Sequence, residues 1–200
     1  MWRDDINSRE HYLWFADNYY LGARNLILSG QSIAAGPIAA LAVEQYLKLK
    51  AFELLKDEDN TLLPTKTKNK FIKEIHNLEI LFKAIEEPMR LNHLTIQSFE
   101  HYQPILNKLT KAWENKYFDD FGLKGEIEKN GSVQVGISVS ALADFDELCC
   151  ELRNAVYIGS YELIDQLLVG SSDSQAQLWS LKENNLQYEN FKDRRFLYNP

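Results

Sequence analysis

Hydrophobic residues recur at spacings of three and four along most of the chain, which is the period of an amphipathic α-helix. The first such stripe lies within residues 9–29, and a Ser29-Gly30 pair ends it. Residues 33–55 are apolar almost all round, so we predict that they form the most enclosed helix of the domain. A third, narrower seam follows. Its apolar positions are Phe71, Ile75, Leu78, Phe82 and Ile85.

The same period continues in the C-terminal half of the chain. We expect Pro88 to end the third helix, and Pro104 to divide residues 90–118 into two pieces or to kink one helix. Ser140 is a candidate cap for the next helix, and Ser172 with Gln175 resembles a capping box for a short terminal helix around 174–187. The apolar seam of the helix after Ser140 is Leu142, Phe145, Cys149, Leu152, Val156, Gly159 and Leu163.

One segment departs from the helical period. Residues 125–138, GEIEKNGSVQVGIS, alternate apolar and polar positions on both sides of an Asn130-Gly131 pair. Asn-Gly supplies the positive φ angles that a tight hairpin turn requires. We therefore predict a small β-hairpin here.

These elements predict an all-α fold, an up-and-down antiparallel helical bundle with a hairpin insertion near 125–138. A chain of 200 residues is long enough for one sizeable core. We assign residues 1–170 to the bundle. Residues 171–200 would form a C-terminal helix and tail that pack on the bundle or extend from it.

Charge and cysteine content narrow the function classes. A net charge of −7 argues against a protein that coats long nucleic acid through a broad basic surface. The first ten residues lack the apolar stretch of a signal peptide, and no window is long enough for a membrane span, so we expect a cytoplasmic protein. Cys149 and Cys150 are adjacent, and we interpret them as small buried residues rather than as a redox pair.

The sequence also lacks the common cofactor motifs. The histidines at 11, 76, 93 and 101 do not have the spacing of a zinc site, and no glycine-rich phosphate loop or nucleophile elbow is present. We predict neither a metal nor a cofactor. The densest basic run, Lys66, Lys68, Lys70 and Lys73, is either an ordinary solvated loop or a phosphate-attracting rim.

A polar stripe runs beside the apolar seam of the helix that contains Arg153 and Asn154. Tyr157 and Tyr161 lie along it. The stripe could be a solvated face on which Arg153 pairs with Asp146, Glu151 or another acid. Alternatively, it could line a pocket or a dimer face, where the planar guanidinium of Arg153 would bind phosphate or carboxylate.

Three segments together resemble the HEPN superfamily of helical bundles. They are AALAVEQYLKLKAFELL at 39–55, HNLEILFKAI at 76–85, and the final core helix with its Arg153-Asn154 pair. The resemblance covers roughly residues 9–165. It implies a homodimer and, in the active members, a metal-independent RNase whose motif is an arginine, a polar residue and a histidine shortly after them.

In this chain the arginine and the polar residue match that motif, but no histidine follows. Tyr157 or Tyr161 could donate a hydrogen bond, yet a phenol with a pKa near ~10 is a poor general base. Loss of general acid–base catalysis typically costs about two to four orders of magnitude in rate. Ordinary HEPN nuclease activity is therefore not expected.

Three interpretations follow from the resemblance. The first, which we favour, is a non-catalytic, homodimeric protein that binds a nucleotide, RNA or a protein partner. The second is a divergent RNase in which a tyrosine or His76 replaces the missing histidine. The third is a bundle for protein–protein association, beside a nucleotidyltransferase-type partner or within a bacterial defence or toxin–antitoxin system. The candidate ligand-binding residues are Arg153, Asn154, Tyr157, Tyr161, His76, Lys70 and Lys73.

Overall fold

A computed structural model of the chain describes residues 6–55, 72, 75–91, 97–114, 136–154, 164 and 175–193. All regular structure in these ranges is helical, which confirms the predicted all-α class for this part of the chain. The elements are α1 (Ile6–Leu28), α2 (Ser32–Leu54), α3 (Leu78–Leu91), α4 (Phe99–Glu114), a 3-10 turn (Val139–Ala141), α5 (Leu142–Asn154), α6 (Gln175–Lys182) and α7 (Tyr188–Asp193).

Helix α2 is the centre of the bundle. It packs against α1 most extensively and also contacts α3, α4 and α5. Its sequence is apolar on nearly every face, in keeping with its position among several neighbouring helices. Three charged residues, Glu44, Lys48 and Lys50, are nevertheless buried in it.

A glycine determines the connection between α1 and α2. Gly30 has a φ of +78°, in the left-handed region where a side chain would be strained. Its N–H donates to the Ile27 carbonyl at 3.0 Å, while the Gln31 N–H donates to the Leu26 carbonyl at 2.8 Å. This pair of bonds is a Schellman motif, and it turns the chain back so that α2 packs on α1.

The prolines do not end helices where the sequence suggested. Helix α3 continues through Pro88 to Leu91, and Pro104 lies inside α4. A proline removes one backbone hydrogen bond, but Met89, just beyond Pro88, is buried and offsets that loss by packing in the core. The break in 90–118 comes before Phe99, well ahead of Pro104. In the predicted third helix, Ile72 is helical, residues 75–77 are not, and α3 begins at Leu78.

The predicted hairpin is not supported. Residues 125–135, including its turn, lie outside the described residues, and residues 136–138 are not a strand. Instead the Ile137 N–H donates to the Ser32 carbonyl at 3.1 Å, at the start of α2. This short segment therefore packs against a helix terminus.

Gly136 makes that approach possible. A Cβ atom at this position would lie 2.4 Å from the Ser32 carbonyl oxygen and 2.8 Å from the Ile33 nitrogen.

We expect Gly136→Ala to lower the free energy of unfolding by about 1–3 kcal/mol, because backbone atoms must move apart. Urea denaturation would measure it. Gly22→Ala is the matched control: its Cβ would meet only Ile38 Cγ2 at 3.7 Å, so this variant should be neutral or stabilised by up to about 1 kcal/mol. Equal stability of the two variants would contradict the close approach.

The C-terminal helix α6 packs on α1. Leu181 and Ser180 are buried, and the Ser180 hydroxyl donates to the Leu21 carbonyl at 3.3 Å. Helix α6 ends at Lys182, earlier than the predicted helix around 174–187, and α7 follows after a turn. None of the helices in the described ranges has the length and apolar character needed to cross a membrane.

Candidate functional site

Arg153, the first residue of the Arg153-Asn154 pair, lies in the last turn of α5 and is only 8% exposed. Its guanidinium forms a two-pronged ion pair with Asp17 of α1. Arg153 Nε donates to Asp17 Oδ1 at 3.0 Å, and one terminal nitrogen donates to Oδ2 at 3.1 Å. The planar fork of the arginine matches the carboxylate, which is the strongest geometry for such a pair. The guanidinium therefore faces α1 rather than an open hollow.

The Asp17 carboxylate accepts two further hydrogen bonds. The Tyr46 hydroxyl donates to Oδ1 at 2.7 Å, and the Ile164 backbone N–H donates to Oδ2 at 3.2 Å. Burial raises the pKa of Tyr46 well above its ordinary value, and the charge of Asp17 raises it further. Tyr46 is therefore a neutral donor. One fully buried carboxylate thus connects α1, α2, α5 and the residue at 164.

A second buried ion pair lies further along the same two helices. Arg24 of α1 bonds to Asp146 of α5, and both side chains are fully buried. The Tyr20 hydroxyl donates to Asp146 Oδ1 at 2.9 Å. Arg24 also donates to the Ser180 carbonyl at 2.7 Å and to the Glu183 carbonyl. This pair therefore ties the C-terminal helix α6 to the core of the bundle.

The two pairs form a reciprocal arrangement, which we call the Asp–Arg ladder. On α1 an aspartate, Asp17, precedes an arginine, Arg24, by seven positions, and on α5 Asp146 precedes Arg153 by the same interval. Seven residues are about two helical turns, so each aspartate and its arginine lie on one face. Because the helices are antiparallel, each aspartate meets the other helix's arginine.

Burial dominates the electrostatics of the ladder. It raises the pKa of the Asp146 carboxyl to about 6, while Arg24 and the Tyr20 hydroxyl act to lower it. The pKa of the Cys149 thiol is also raised, first by burial and then by Asp146. A buried thiol of this kind is a poor thiolate nucleophile. Cys149 and Cys150 are both buried and neither forms a disulfide, in agreement with their interpretation as small core residues.

The sequence suggested Asp146, Glu151 or another acid as the partner of Arg153. The partner is Asp17, 136 positions away, and Asp146 pairs with Arg24 instead. The repeated Asp-x₆-Arg spacing on two predicted helices was a signal that could have found the ladder. A periodic pattern on a single helix could not show which helix covers its polar face.

The structure describes two of the seven candidate side chains, Arg153 and His76. Asn154 ends α5, but its side chain lies outside the described part of the chain, as do Tyr157, Tyr161, Lys70 and Lys73. Their ligand-binding roles stay predictions. Arg153 is buried in the ladder, whereas the His76 side chain is 59% exposed.

His76 belongs to a second polar cluster, which we call the Glu44 cluster and which contains Tyr12, Glu44, Lys48 and His76. Glu44 Oε1 lies 2.8 Å from Lys48 Nζ and 3.0 Å from His76 Nδ1. The Glu44 and Lys48 side chains are each only 6% exposed. The pKa of Tyr12 is raised by burial and by the charge of Glu44. The cluster thus places an accessible imidazole on a buried carboxylate.

The residue after His76 fixes the local backbone. The side-chain oxygen of Asn77 accepts a hydrogen bond from the Ile80 N–H at 3.0 Å, which caps the N-terminus of α3. This cap explains why α3 begins at Leu78, directly after Asn77. The resemblance to HEPN proteins drew attention to His76-Asn77-Leu78, but not to the contact between His76 and α2.

Metal binding has no support in the described residues, which contain no group of three or more histidine, cysteine, aspartate or glutamate side chains able to hold an ion. Comparison of the chain with protein-family models, with curated proteins and with solved structures found no match. The assignment to the HEPN superfamily therefore stays a hypothesis that rests on the sequence motifs.

Proposed function

We propose that this chain is a non-catalytic, HEPN-like binding protein whose ligand is a nucleotide or an RNA end. The observation that carries the non-catalytic part is the buried ion pair between Arg153 and Asp17. In an active enzyme of that type, the arginine would steady the charge that develops on phosphate. Here that charge is already neutralised inside the bundle.

Freeing Arg153 for a phosphate would leave Asp17 buried without its cation. Removing one partner of a buried ion pair costs about 3–5 kcal/mol, because the other charge is left uncompensated. The interaction of Arg153 with a phosphate would first have to offset that cost. Only the remainder could stabilise a transition state. The missing histidine after Arg153-Asn154 supports the same conclusion. In this proposal Arg153 holds the fold together, and ligand binding takes place elsewhere on the chain.

The proposal includes the wider setting that the resemblance implies. The protein would be a cytoplasmic homodimer that works in a bacterial defence or toxin–antitoxin system, beside a nucleotidyltransferase-type partner. Light scattering on the purified chain tests the dimer directly. A mass that stays monomeric at high protein concentration would contradict that part of the proposal.

The test of the main proposal combines cleavage and binding. End-labelled RNA incubated with the protein in EDTA should stay intact, while fluorescence polarisation should detect binding of labelled nucleotides or short RNA. Arg153→Lys, which keeps the positive charge in the ladder, should bind as the wild type does, provided that circular dichroism shows it folded.

Two results would overturn this proposal. Cleavage in EDTA that Arg153→Lys abolishes would make the protein a divergent RNase. Failure of both nucleotides and short RNA to bind would leave a bundle that serves protein–protein association alone.

A further inference from the structure

We propose that Glu44 orients His76 as a hydrogen-bond acceptor for a ribose hydroxyl group, so that the Glu44 cluster is where the ligand binds. This inference rests on the proposed function, and it names both the site and the part of the ligand that the site recognises. The hydroxyl could come from a free nucleotide or from the 3′ end of an RNA.

The first step of the argument is that Glu44 is held in place. It lies on α2, the central helix of the bundle, and its side chain is only 6% exposed. Lys48, one turn later on the same helix, contacts the same carboxylate oxygen that faces His76. A buried carboxylate fixed by a neighbour on a core helix offers a rigid partner to the imidazole.

The second step concerns the tautomer of His76. An ionised carboxylate can only accept hydrogen bonds, so the ring nitrogen 3.0 Å from Glu44, Nδ1, carries the proton. In the neutral ring, Nε2 then has a free lone pair, on the side of the ring away from Nδ1. The side chain is 59% exposed and Nδ1 is taken by Glu44, so the proposal places the ligand at Nε2.

The third step concerns charge. The Lys48 ammonium balances the Glu44 carboxylate, so the cluster is neutral when the imidazole is neutral. A neutral acceptor suits a hydroxyl donor better than it suits a phosphate, which brings acceptors and negative charge. The ribose hydroxyl is the donor that nucleotides and RNA 3′ ends share, and it therefore fits Nε2.

His101 provides a matched control within the same chain. Its side chain is 49% exposed, and its Nε2 lies 3.5 Å from Glu147, whose side chain is 32% exposed. Both histidines are thus accessible and near a glutamate. Of these two histidines, only His76 has a buried partner at hydrogen-bonding distance, so we expect His76 and not His101 to have a fixed tautomer and bind the ligand.

The experiment follows the imidazole nitrogens by ¹⁵N NMR in the full-length protein. We expect wild-type His76 to show a protonated Nδ1 and an unprotonated Nε2. Glu44→Gln should weaken this preference for one tautomer without affecting His101. Adenosine monophosphate should shift the His76 Nε2 resonance, and its 2′,3′-dideoxy analogue should bind up to about tenfold more weakly, as expected for one lost hydrogen bond. His76→Asn should lose that difference, whereas His101→Asn should keep it.

The outcomes separate the two proposals. If both compounds bind equally well and leave His76 Nε2 unshifted, the ribose site is wrong while nucleotide binding stands. If neither the nucleotides nor a short RNA binds, both proposals fail. An unprotonated Nδ1 on His76 in the wild-type protein would overturn the proposal that Glu44 orients the ring. Short RNAs with and without a 3′-terminal hydroxyl would show whether an RNA end or a free nucleotide supplies the donor.

Discussion

Arg24→Met should lower the free energy of unfolding by about 3–5 kcal/mol near neutral pH, the cost of leaving one charge of a buried ion pair uncompensated. Arg24 is fully buried and contacts Asp146 together with the carbonyl groups of Ser180 and Glu183. Methionine fills much of the volume but donates no hydrogen bond. Helix α6 should therefore also be held less tightly against α1. Urea denaturation followed by circular dichroism measures the loss.

The stability of the Arg24→Met variant should depend on pH in a way that identifies Asp146 as the uncompensated charge. Burial already raises the pKa of Asp146 to about 6, and loss of the lowering influence of Arg24 should raise it further. A carboxyl whose pKa is raised on folding stabilises the fold below its unfolded pKa of about 4, and that stabilisation is lost as pH rises through the folded pKa. The deficit of Arg24→Met should therefore be smallest at acidic pH and grow above about pH 6.

A double variant provides the control for this pH dependence. Arg24→Met with Asp146→Asn has no carboxyl group at this site, and the asparagine oxygen can still accept from Tyr20. Its deficit relative to the wild type should grow less with pH than that of the single variant. A single variant with the same deficit at acidic and neutral pH would show that Asp146 is not the uncompensated charge.

Asp17→Ala should be at least as destabilising, again by about 3–5 kcal/mol. The substitution removes the acceptor of four hydrogen bonds, two from Arg153 and one each from Tyr46 and the Ile164 N–H. Tyr46 is fully buried, so its hydroxyl would keep its desolvation cost without this acceptor. Thermal and urea denaturation would measure the change.

Two comparisons isolate the ion pair from the general effect of truncating α1. Asn18→Ala, at the next position, removes only a hydrogen bond to the Trp14 carbonyl at an exposed site and should change stability by less than about 0.5 kcal/mol. Asp17→Ala with Arg153→Met should be less destabilised than the sum of the two single variants, because the charges are removed together. Strict additivity would mean that Asp17 and Arg153 do not stabilise one another.

Some of the architecture followed from local pattern. The buried positions Leu13, Tyr20 and Ile27 recur on α1 as the spacing predicted. The apolar character of α2 likewise agreed with its position at the centre of the bundle. The prediction that Pro88 ends a helix was wrong, because a helix tolerates the loss of one backbone hydrogen bond when the residues beyond the proline pack in the core. Met89 shows this for α3.

The candidate site was predicted in outline only. The sequence singled out Arg153 and His76, but it could not show that one is enclosed against α1 and the other is held on α2. Glu44 and His76 are 32 positions apart, and no local spacing relates them. Whether Arg153 would line an open pocket depended on which helix packs against its face of α5, and the sequence could not show that this helix is α1.

The sequence by itself determined which residues share a face of each helix, because helical period is a local property of the backbone. It also determined that the Arg153-Asn154 pair lacks the histidine of an RNase motif. Only the tertiary structure decided that Arg153 meets Asp17 and that Arg24 meets Asp146. Those contacts join residues more than 120 positions apart, and they follow from the antiparallel packing of α1 and α5, which burial of both apolar faces brings about.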